Sequence, residues 1–275
     1  MVITDLDGTL LNDDSQVSAA NLETLKKLGE KKIIRVAATG RSLHLVKQVL
    51  SDSFPIDYVI FSSGAGIFCW REKKILTAHH LSAQQVENIS ELIKTMNNNL
   101  MIFNEIPENH HFKYWVLNNT ESDFVRRLNH FKLVSQEIDS DFKYAKASQI
   151  LTILPENVEL FTQIKQTIYQ KVNQVKVIRA SSPIDGKSIW VEIFPKGVSK
   201  GDAVIWLCKL LKISISETIS VGNDYNDLDM LNITQHAFVV SNSPKELLEN
   251  PKFRVVSTNN ADGFSNAIEM IYGTN

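Results

Sequence analysis

The sequence is poor in cysteine and has no long apolar run. Its two cysteines, Cys69 and Cys208, lie far apart and lack the spacing of a metal site, which argues against a disulfide framework and favours a reducing compartment, the cytoplasm. No run of about 18 apolar residues occurs, the length that a helix needs to span a bilayer. The N-terminus also lacks the basic and apolar regions of a signal peptide. We therefore expect a soluble protein without a membrane partner.

The sequence also lacks a marked excess of charge of either sign. Its formal net charge is -2, so no global basic field would attract nucleic acid, and any anion site must be local. With 43% hydrophobic and 22% charged residues, the composition is that of an ordinary globular protein. A length of 275 residues fits one large domain or two smaller ones. We expect a monomer or a weak homodimer.

The two ends of the chain show the same alternation of short apolar runs and amphipathic stretches. Continuous apolar runs such as Ile33–Ala38 suit a parallel sheet that is covered on both faces. The pattern predicts an α/β fold with a doubly wound, Rossmann-like parallel sheet. The predicted strands and helices of this core are 1–4, 21–31, 33–38, 43–50, 58–61, 200–211, 218–221, a helix near 228, 237–240, 244–249 and 263–271.

Between these ends the pattern changes. A hairpin is predicted at 67–70 and 75–78, and three helices, at 83–96, 121–130 and 157–171, are then mixed with strands such as 150–154 and 175–180. This arrangement predicts an inserted α+β domain. We place the core at residues 1–81 and 188–275 and the insert at residues 82–187, and the doubly wound pattern resumes at about Gly197.

The strongest chemical signal is Asp5-Leu6-Asp7-Gly8-Thr9, which follows the first apolar strand. Ligand sites of doubly wound sheets form at the carboxyl ends of strands, and Gly8 permits a sharp turn that brings Asp7 over the same centre as Asp5. Two adjacent carboxylates can serve as nucleophile and acid/base. Taken alone, the segment is more typical of an ordinary Asp-rich turn than of a catalytic pair.

Three further segments follow the same logic. Thr39, Gly40 and Arg41 stand between a strand and a helix, where free N–H groups can bind phosphate, although Thr39 alone would suit a helix cap. Lys200 begins a predicted helix and, by itself, would be an ordinary surface lysine. Gly222–Asp227 supplies oxygen ligands after another strand, which suits Mg²⁺; a calcium loop is the alternative, but the glutamate that ends an EF-hand loop is missing.

These four segments, in this order, resemble the motifs of the haloacid dehalogenase (HAD) superfamily, and the long insert resembles the cap of its Cof-type phosphatases. The resemblance spans the core on both sides of the insert. It implies a phosphoric monoester hydrolase whose cap selects the substrate. An aspartate at the position of Asp7 is typical of phosphatases and phosphomutases within the superfamily.

The resemblance also implies roles for individual residues. Asp5 would attack phosphorus and become an aspartyl phosphate, and Asp7 would protonate the leaving oxygen and then activate water. Mg²⁺ would be held by Asp5, the main-chain carbonyl of Asp7, and Asp224, with Asn223 and Asp227 in support. The transferring phosphoryl group would be bound by Thr39, Gly40 and Lys200.

Arg41, Ser63 and Gly64 are candidates for substrate contact. Cof-type relatives commonly carry Asn-Gly-Ala where this chain has Ser63-Gly64-Ala65, which weakens the expectation there. His110 and His111 could suggest a metal site, but adjacent histidines are expected to point apart and no carboxylate partner is evident. We expect these two histidines to have no binding role.

The motifs leave three functions open. The first is hydrolysis of a small phosphorylated metabolite, such as a sugar phosphate or a cofactor phosphate. The second is a phosphosugar mutase of the phosphomannomutase type, which returns the phosphoryl group to sugar. The third is a non-catalytic binding protein on the same fold, which the intact set of five motif residues argues against.

Overall fold

The computed structural model of the chain describes residues 1–117 and 122–273. Its strands are β1 (Val2–Thr4), β2 (Arg35–Ala38), β3 (Tyr58–Phe61), β4 (Gly66–Cys69), β5 (Lys74–Ala78), β6 (Leu100–Phe103), β7 (Phe112–Trp115), β8 (Ser135–Glu137), β9 (Gln149–Leu154), β10 (Val175–Ser181), β11 (Ile189–Pro195), β12 (Ile219–Gly222), β13 (His236–Val240) and β14 (Arg254–Val256). Its helices are α1 (Ala19–Glu30), α2 (Leu43–Val49), α3 (Ala83–Thr95), α4 (Ser122–His130), α5 (Val158–Lys171), α6 (Lys200–Leu211), α7 (Leu228–Ile233), α8 (Lys245–Leu248) and α9 (Gly263–Tyr272).

The chain forms two compact units. The core unit comprises residues 1–77 and 199–275, and the insert unit comprises residues 78–198. The core unit is thus built from both ends of the chain.

The core unit contains one sheet in the order β14-β13-β12-β1-β2-β3-β4-β5. The strands from β14 to β3 run parallel, and β4 pairs antiparallel with β3. Because β1 lies between β2 and β12, the carboxyl ends of these three strands meet at one edge. Ligand sites of parallel sheets form at this edge.

Buried apolar side chains hold helices against this sheet. Ile3, Val36 and Ile60 of the sheet pack with Val204 and Leu207 of α6. α1 contacts β2 and α9. Fully burying a side chain of this size stabilises the fold by about 1.5–3 kcal/mol. This packing matches the continuous apolar strands of the sequence.

Serine caps determine where three core helices begin. The hydroxyl oxygens of Ser18, Ser42 and Ser199 accept the N–H groups of Asn21, Leu45 and Asp202, at 3.1, 3.4 and 3.1 Å. Such a cap contributes about 1 kcal/mol. The caps at Ser42 and Ser199 adjoin Arg41 and Lys200, so they fix two of the predicted site residues at helix starts.

The insert unit has its own sheet and its own core. The sheet order is β10-β11-β9-β6-β7-β8, with antiparallel pairs except for the parallel pair β7 and β8. Val86 and Ile89 of α3 and Ile164 of α5 pack on one face of the sheet. Phe124 of α4 packs with Met101, Leu151 and other residues of a separate cluster.

The predicted architecture, a doubly wound core with an inserted α+β unit, is confirmed. The predicted boundary at residue 188 is wrong, because β11 pairs with β10 along seven residues and with β9, and so belongs to the insert unit. β11 is buried along nearly its whole length, and a strand of this kind has the same apolar pattern as a parallel core strand. At the first crossing the insert unit begins at residue 78, four residues before the predicted 82. Glu121, where a helix was predicted to begin, lies outside the described residues.

Within residues 1–117 and 122–273, every helix is too short or too polar to cross a bilayer.

Candidate active site

The predicted site residues gather at the carboxyl edge of the core sheet. Asp5 follows β1, Thr39 follows β2 and Asn223 follows β12, while Lys200 is the first residue of α6. The N–H group of Asp5 donates to Val221 O (2.9 Å), which ties the end of β1 to β12. Sheet topology therefore joins segments that lie more than 180 residues apart.

A wide turn of residues 6–10 carries the chain away from Asp5. It is closed by the N–H group of Leu11, which donates to Leu6 O at 2.8 Å. Gly8 has a φ of +70°, and a Cβ atom there would lie 2.6 Å from the side-chain amide of Asn223. Both the left-handed conformation and the close packing therefore favour glycine here. The turn places the Asp7 carbonyl beside Asp5.

Lys200 joins two buried carboxylates. Its Nζ donates to Asp5 Oδ1 at 2.7 Å and to Asp227 Oδ1 at 2.6 Å, and only 1% of its surface is exposed. The second oxygen of Asp227 accepts the N–H groups of Asn223 and Asp224, at 2.9 and 3.0 Å. Asp227 thus anchors both the lysine and the loop after β12. This contact agrees with its predicted supporting role, which stays a prediction.

Burial sets the protonation balance of this group. Burial raises the pKa of Asp5 well above its usual value; Lys200 opposes this rise, while Asp227 and Asp7 add to it. Burial alone would lower the pKa of Lys200, but attraction to Asp227 and Asp5 and their hydrogen bonds raise it instead. Lys200 carries one positive charge, whereas the two carboxylates of Asp5 and Asp227 carry two negative charges when both are ionised. A further cation would stabilise the ionised form of Asp5.

Asp7 is bound by Arg41. The guanidinium Nε and Nη2 donate to Asp7 Oδ2 and Oδ1 at 2.8 and 2.5 Å, and this hydrogen bonding raises the pKa of Arg41. The Asp7 side chain is 42% exposed, in contrast to the buried Asp5. Arg41 was predicted to contact substrate, but in this structure its fork holds Asp7. A bidentate pair of this kind fixes the orientation of the carboxylate.

Thr39 and Gly40 differ in their accessibility. Thr39 is fully buried, and its hydroxyl oxygen accepts the N–H group of Arg41 at 3.1 Å. Gly40 is exposed, so its main chain is open to a ligand. Phosphate binding by these two residues stays a prediction.

Ser63 and Gly64 were predicted to contact substrate, but Ser63 is fully buried and Gly64 is buried as well. Gly64 has a φ of +103°, and a Cβ atom there would lie 2.2 Å from Ser199 O. The turn after β3 therefore packs directly against the start of α6. In this structure Gly64 positions the segment that carries Lys200 instead of facing a ligand.

Oxygen atoms converge beside Asp5. One polar atom of the Asn223 amide lies 3.1 Å from Asp5 Oδ2, from Asp7 O and from Thr9 Oγ1; as the amide nitrogen, it donates to these oxygens. Asp224 follows directly in the same loop. Hard oxygen donors, carboxylates among them, fit a divalent cation such as Mg²⁺.

One contributor was not found from the sequence. Asn242, two residues after β13, donates from its side chain to Gly8 O at 2.8 Å and thereby holds the turn that carries Asp7. The available signal was its place after a strand of the parallel sheet. The neighbouring Ser241 and Ser243 made the segment resemble an ordinary polar loop.

Comparisons with known proteins agree with this arrangement. Residues 2–268 match the family model of haloacid dehalogenase-like hydrolases. The chain is 24% identical to the 5-amino-6-(5-phospho-D-ribitylamino)uracil phosphatase YwtE of Bacillus subtilis, covering 98% of this chain and 97% of the relative. It is also 24% identical to the HMP-PP phosphatase of Cronobacter sakazakii, over 92% and 88% of the two chains.

The fold is shared with a solved structure of the same superfamily. BT1666 from Bacteroides thetaiotaomicron, which is described among HAD phosphatases, superimposes with a TM-score of 0.75 at 20% identity, covering 98% of this chain and 93% of that one. The family match over nearly the whole chain, together with the fold, confirms the resemblance. The chain therefore belongs to the haloacid dehalogenase-like hydrolases, as a phosphatase of the Cof type.

Proposed function

We propose that this enzyme is a magnesium-dependent phosphatase that hydrolyses a small phosphorylated metabolite through an aspartyl phosphate on Asp5. The observation that carries the proposal is the buried pair of Asp5 and Lys200, 2.7 Å apart, with Asp7 on the adjoining turn. A carboxylate can attack phosphorus only if nearby positive charge offsets its repulsion from the phosphate. Lys200 lies in contact with the attacking group.

In the first step Asp5 attacks phosphorus, and the bond to the leaving oxygen breaks as Asp7 gives that oxygen a proton. In the second step Asp7 takes a proton from water, the water oxygen bonds to phosphorus, and the bond to Asp5 breaks. Arg41 pairs with the ionised form of Asp7, which is the form that takes the proton from water in the second step. Lys200, Thr39 and Gly40 hold the phosphoryl oxygens in both steps.

Asp5, the carbonyl of Asp7, and Asp224 would hold Mg²⁺. The ion supplies positive charge that offsets the repulsion between Asp5 and the phosphate. Asn223 lies against both Asp5 and the Asp7 carbonyl, so it would orient these two ligands.

The substrate class is supported by the relatives. YwtE is named for a phosphorylated ribitylamino compound and the Cronobacter relative for HMP-PP, and both substrates are small. We accordingly assign a sugar phosphate or a cofactor phosphate to this enzyme, with the insert unit selecting between them. The two cysteines are buried free thiols, which supports the proposed cytoplasmic location.

A phosphate-release screen tests the proposal. Purified enzyme with magnesium should release phosphate from at least one member of a panel of sugar phosphates, nucleotides and cofactor phosphates. Asp5→Asn should abolish that release, because an amide cannot form the phosphoryl bond. Asp14→Asn is the matched control, since Asp14 is exposed and outside the site, and it should keep full activity.

Three outcomes would count against the proposal. Isomerised sugar phosphate without free phosphate would favour a phosphosugar mutase. Turnover by Asp5→Asn would remove Asp5 from the role of nucleophile. Binding of phosphorylated compounds without any turnover would favour a non-catalytic protein.

A further inference from the structure

A second set of metal-ligating side chains lies in the insert unit, in the loop of residues 104–111 between β6 and β7. Suitable ligand atoms of Glu108, His110 and His111 all lie within 4.8 Å of one another. The expectation that the two histidines point apart is wrong, since their ring centroids are 4.0 Å apart. Alternation of side chains applies to extended strands, whereas these residues lie in a turn that precedes β7.

We propose that Glu108, His110 and His111 form a binding site for Zn²⁺ or a similar transition-metal ion. Glu108 Oε2 lies 3.5 Å from His111 Nδ1 and 3.9 Å from His110 Nε2. Bonds of about 2.0–2.1 Å in a tetrahedral zinc site put neighbouring ligands roughly 3.3 Å apart. Small side-chain rotations therefore complete the site. Two imidazoles and one carboxylate are typical zinc donors, and water can take the fourth position.

The loop is held in place before any ion binds. Phe103 and Phe112 pair across β6 and β7, and the N–H group of Asn104 donates to His111 O at 3.0 Å. The N–H group of His111 donates to Glu108 O at 3.0 Å, which fixes the turn between the first and last ligand. The N–H group of Ile106 donates to His80 Nε2 at 3.1 Å. Preorganised ligands lose little conformational entropy on binding.

This site differs in chemistry from the one at Asp5. The core site offers oxygen donors, which suit Mg²⁺, whereas imidazole nitrogen suits zinc and its neighbours in the first transition row. The exposed side chain of Glu108 also leaves the site open to solvent, since 64% of it is accessible. An ion there would hold Glu108 against His110 and His111 in the second half of the loop.

The test is a titration of the full-length, metal-stripped protein with ZnCl₂ in excess magnesium, which keeps the core site filled. Wild type should bind one Zn²⁺ in the loop, and the double variant His110→Ala/His111→Ala should lose that event. The control His79→Ala/His130→Ala removes two exposed histidines of the same unit and should bind as wild type does. Glu108→Gln should weaken binding by at least about tenfold.

Titration with CoCl₂ distinguishes the two sites by spectrum. Cobalt in the loop should give the strong visible absorption of a tetrahedral ion with nitrogen ligands, and the double variant should lack it. Equal zinc binding by wild type, the double variant and Glu108→Gln would overturn the proposal, as would loss of the event in Asp224→Asn alone. Glu108→Gln changes one exposed side chain, so a folding defect cannot account for its result. Binding is measured without turnover, so it is independent of phosphatase activity.

Discussion

Lys200 carries the electrostatics of the candidate site at the scale of single residues. It is almost wholly buried and provides the direct cationic contact of both Asp5 and Asp227. Removing one partner of a buried ion pair leaves an uncompensated charge and typically costs 3–5 kcal/mol. The raised pKa of Asp5 limits this cost, because Asp5 can take up a proton when the lysine is lost.

We therefore expect Lys200→Met to lower the free energy of unfolding by about 3 kcal/mol and to abolish turnover. Denaturant unfolding and a phosphate-release assay measure the two effects. Lys209→Met, an exposed change on the same helix, should stay within about 0.5 kcal/mol of wild type. Adding Asp227→Asn to Lys200→Met should restore part of the stability. A fully stable Lys200→Met protein would contradict this account of the site.

Two roles of Arg41, the positioning of Asp7 and the binding of substrate, can be distinguished by substitution. Arg41→Lys keeps the charge but loses the two-pronged contact. If Arg41 orients Asp7, kcat should fall by roughly 10- to 100-fold while KM changes little. Arg35→Lys breaks the similar pair with Asp57, which lies outside the set of site residues, and should alter stability and not kinetics. A rise in KM with unchanged kcat would instead support the substrate contact that the sequence suggested.

At the scale of elements, close packing of the turn after β3 against the start of α6 positions this helix. Ser62, Ser63 and Gly64 all have positive φ values, of 48°, 51° and 103°. Such strain persists only where the surrounding structure enforces it. Here the strained turn allows a close contact between Gly64 and Ser199. Ser199 caps α6, the helix that carries Lys200.

Gly64→Ala should lower the free energy of unfolding by about 3 kcal/mol, because its Cβ atom would collide with Ser199 O. Activity should fall as well, since α6 has to move. Gly186→Ala isolates the conformational effect: Gly186 also has a positive φ, but its Cβ atom would meet no described atom within 4 Å. That control should cost about 1–2 kcal/mol. Equal losses in the two variants would exclude the collision as the cause.

The sequence predicts elements well where local signals and tertiary structure agree. The range of α6 was predicted without error, because Ser199 caps it and apolar spacing continues to Leu211. The gathering of Asp5, Asp7 and Lys200 at one edge of the sheet could be predicted, because their segments follow strands or begin a helix in a known order. The pairing of Arg41 with Asp7 and the burial of Ser63 depend on contacts across the sheet, which no local pattern encodes. β14 is short and largely exposed, so it has little apolar signal.

At the scale of the whole molecule, each unit has its own hydrophobic core. Chains with more than one core often depart from two-state unfolding. A ligand that binds only the folded core unit raises the stability of that unit, by about 2.7 kcal/mol at one hundred times its Kd. Mg²⁺ at the proposed site should therefore stabilise the core unit and leave the stability of the insert unit unchanged.

Calorimetry should show two unfolding transitions. Magnesium should raise the midpoint temperature of the transition that belongs to the core unit and leave the other unchanged. The units can be observed separately, because Trp70 and Trp206 lie in the core unit and Trp115 and Trp190 in the insert unit. In the variant Trp70→Phe/Trp206→Phe, the fluorescence transition should be insensitive to magnesium. In Trp115→Phe/Trp190→Phe, it should shift upward. A magnesium shift of equal size in both variants would contradict independent unfolding.

The position of β1 also bears on how the protein is made. Val2 pairs with Ile219, so the ribosome adds 217 more residues after Val2 before its partner is complete. At about 5–20 residues per second, this takes a ribosome roughly 10–40 s. All the strands of the insert unit are synthesised before β12, so this unit can fold first. One side of β1 stays unpaired until β12 has been synthesised. The strand that leads to Asp5 therefore completes its pairing in the sheet late in translation, and nascent chains arrested before residue 219 should lack the candidate active site.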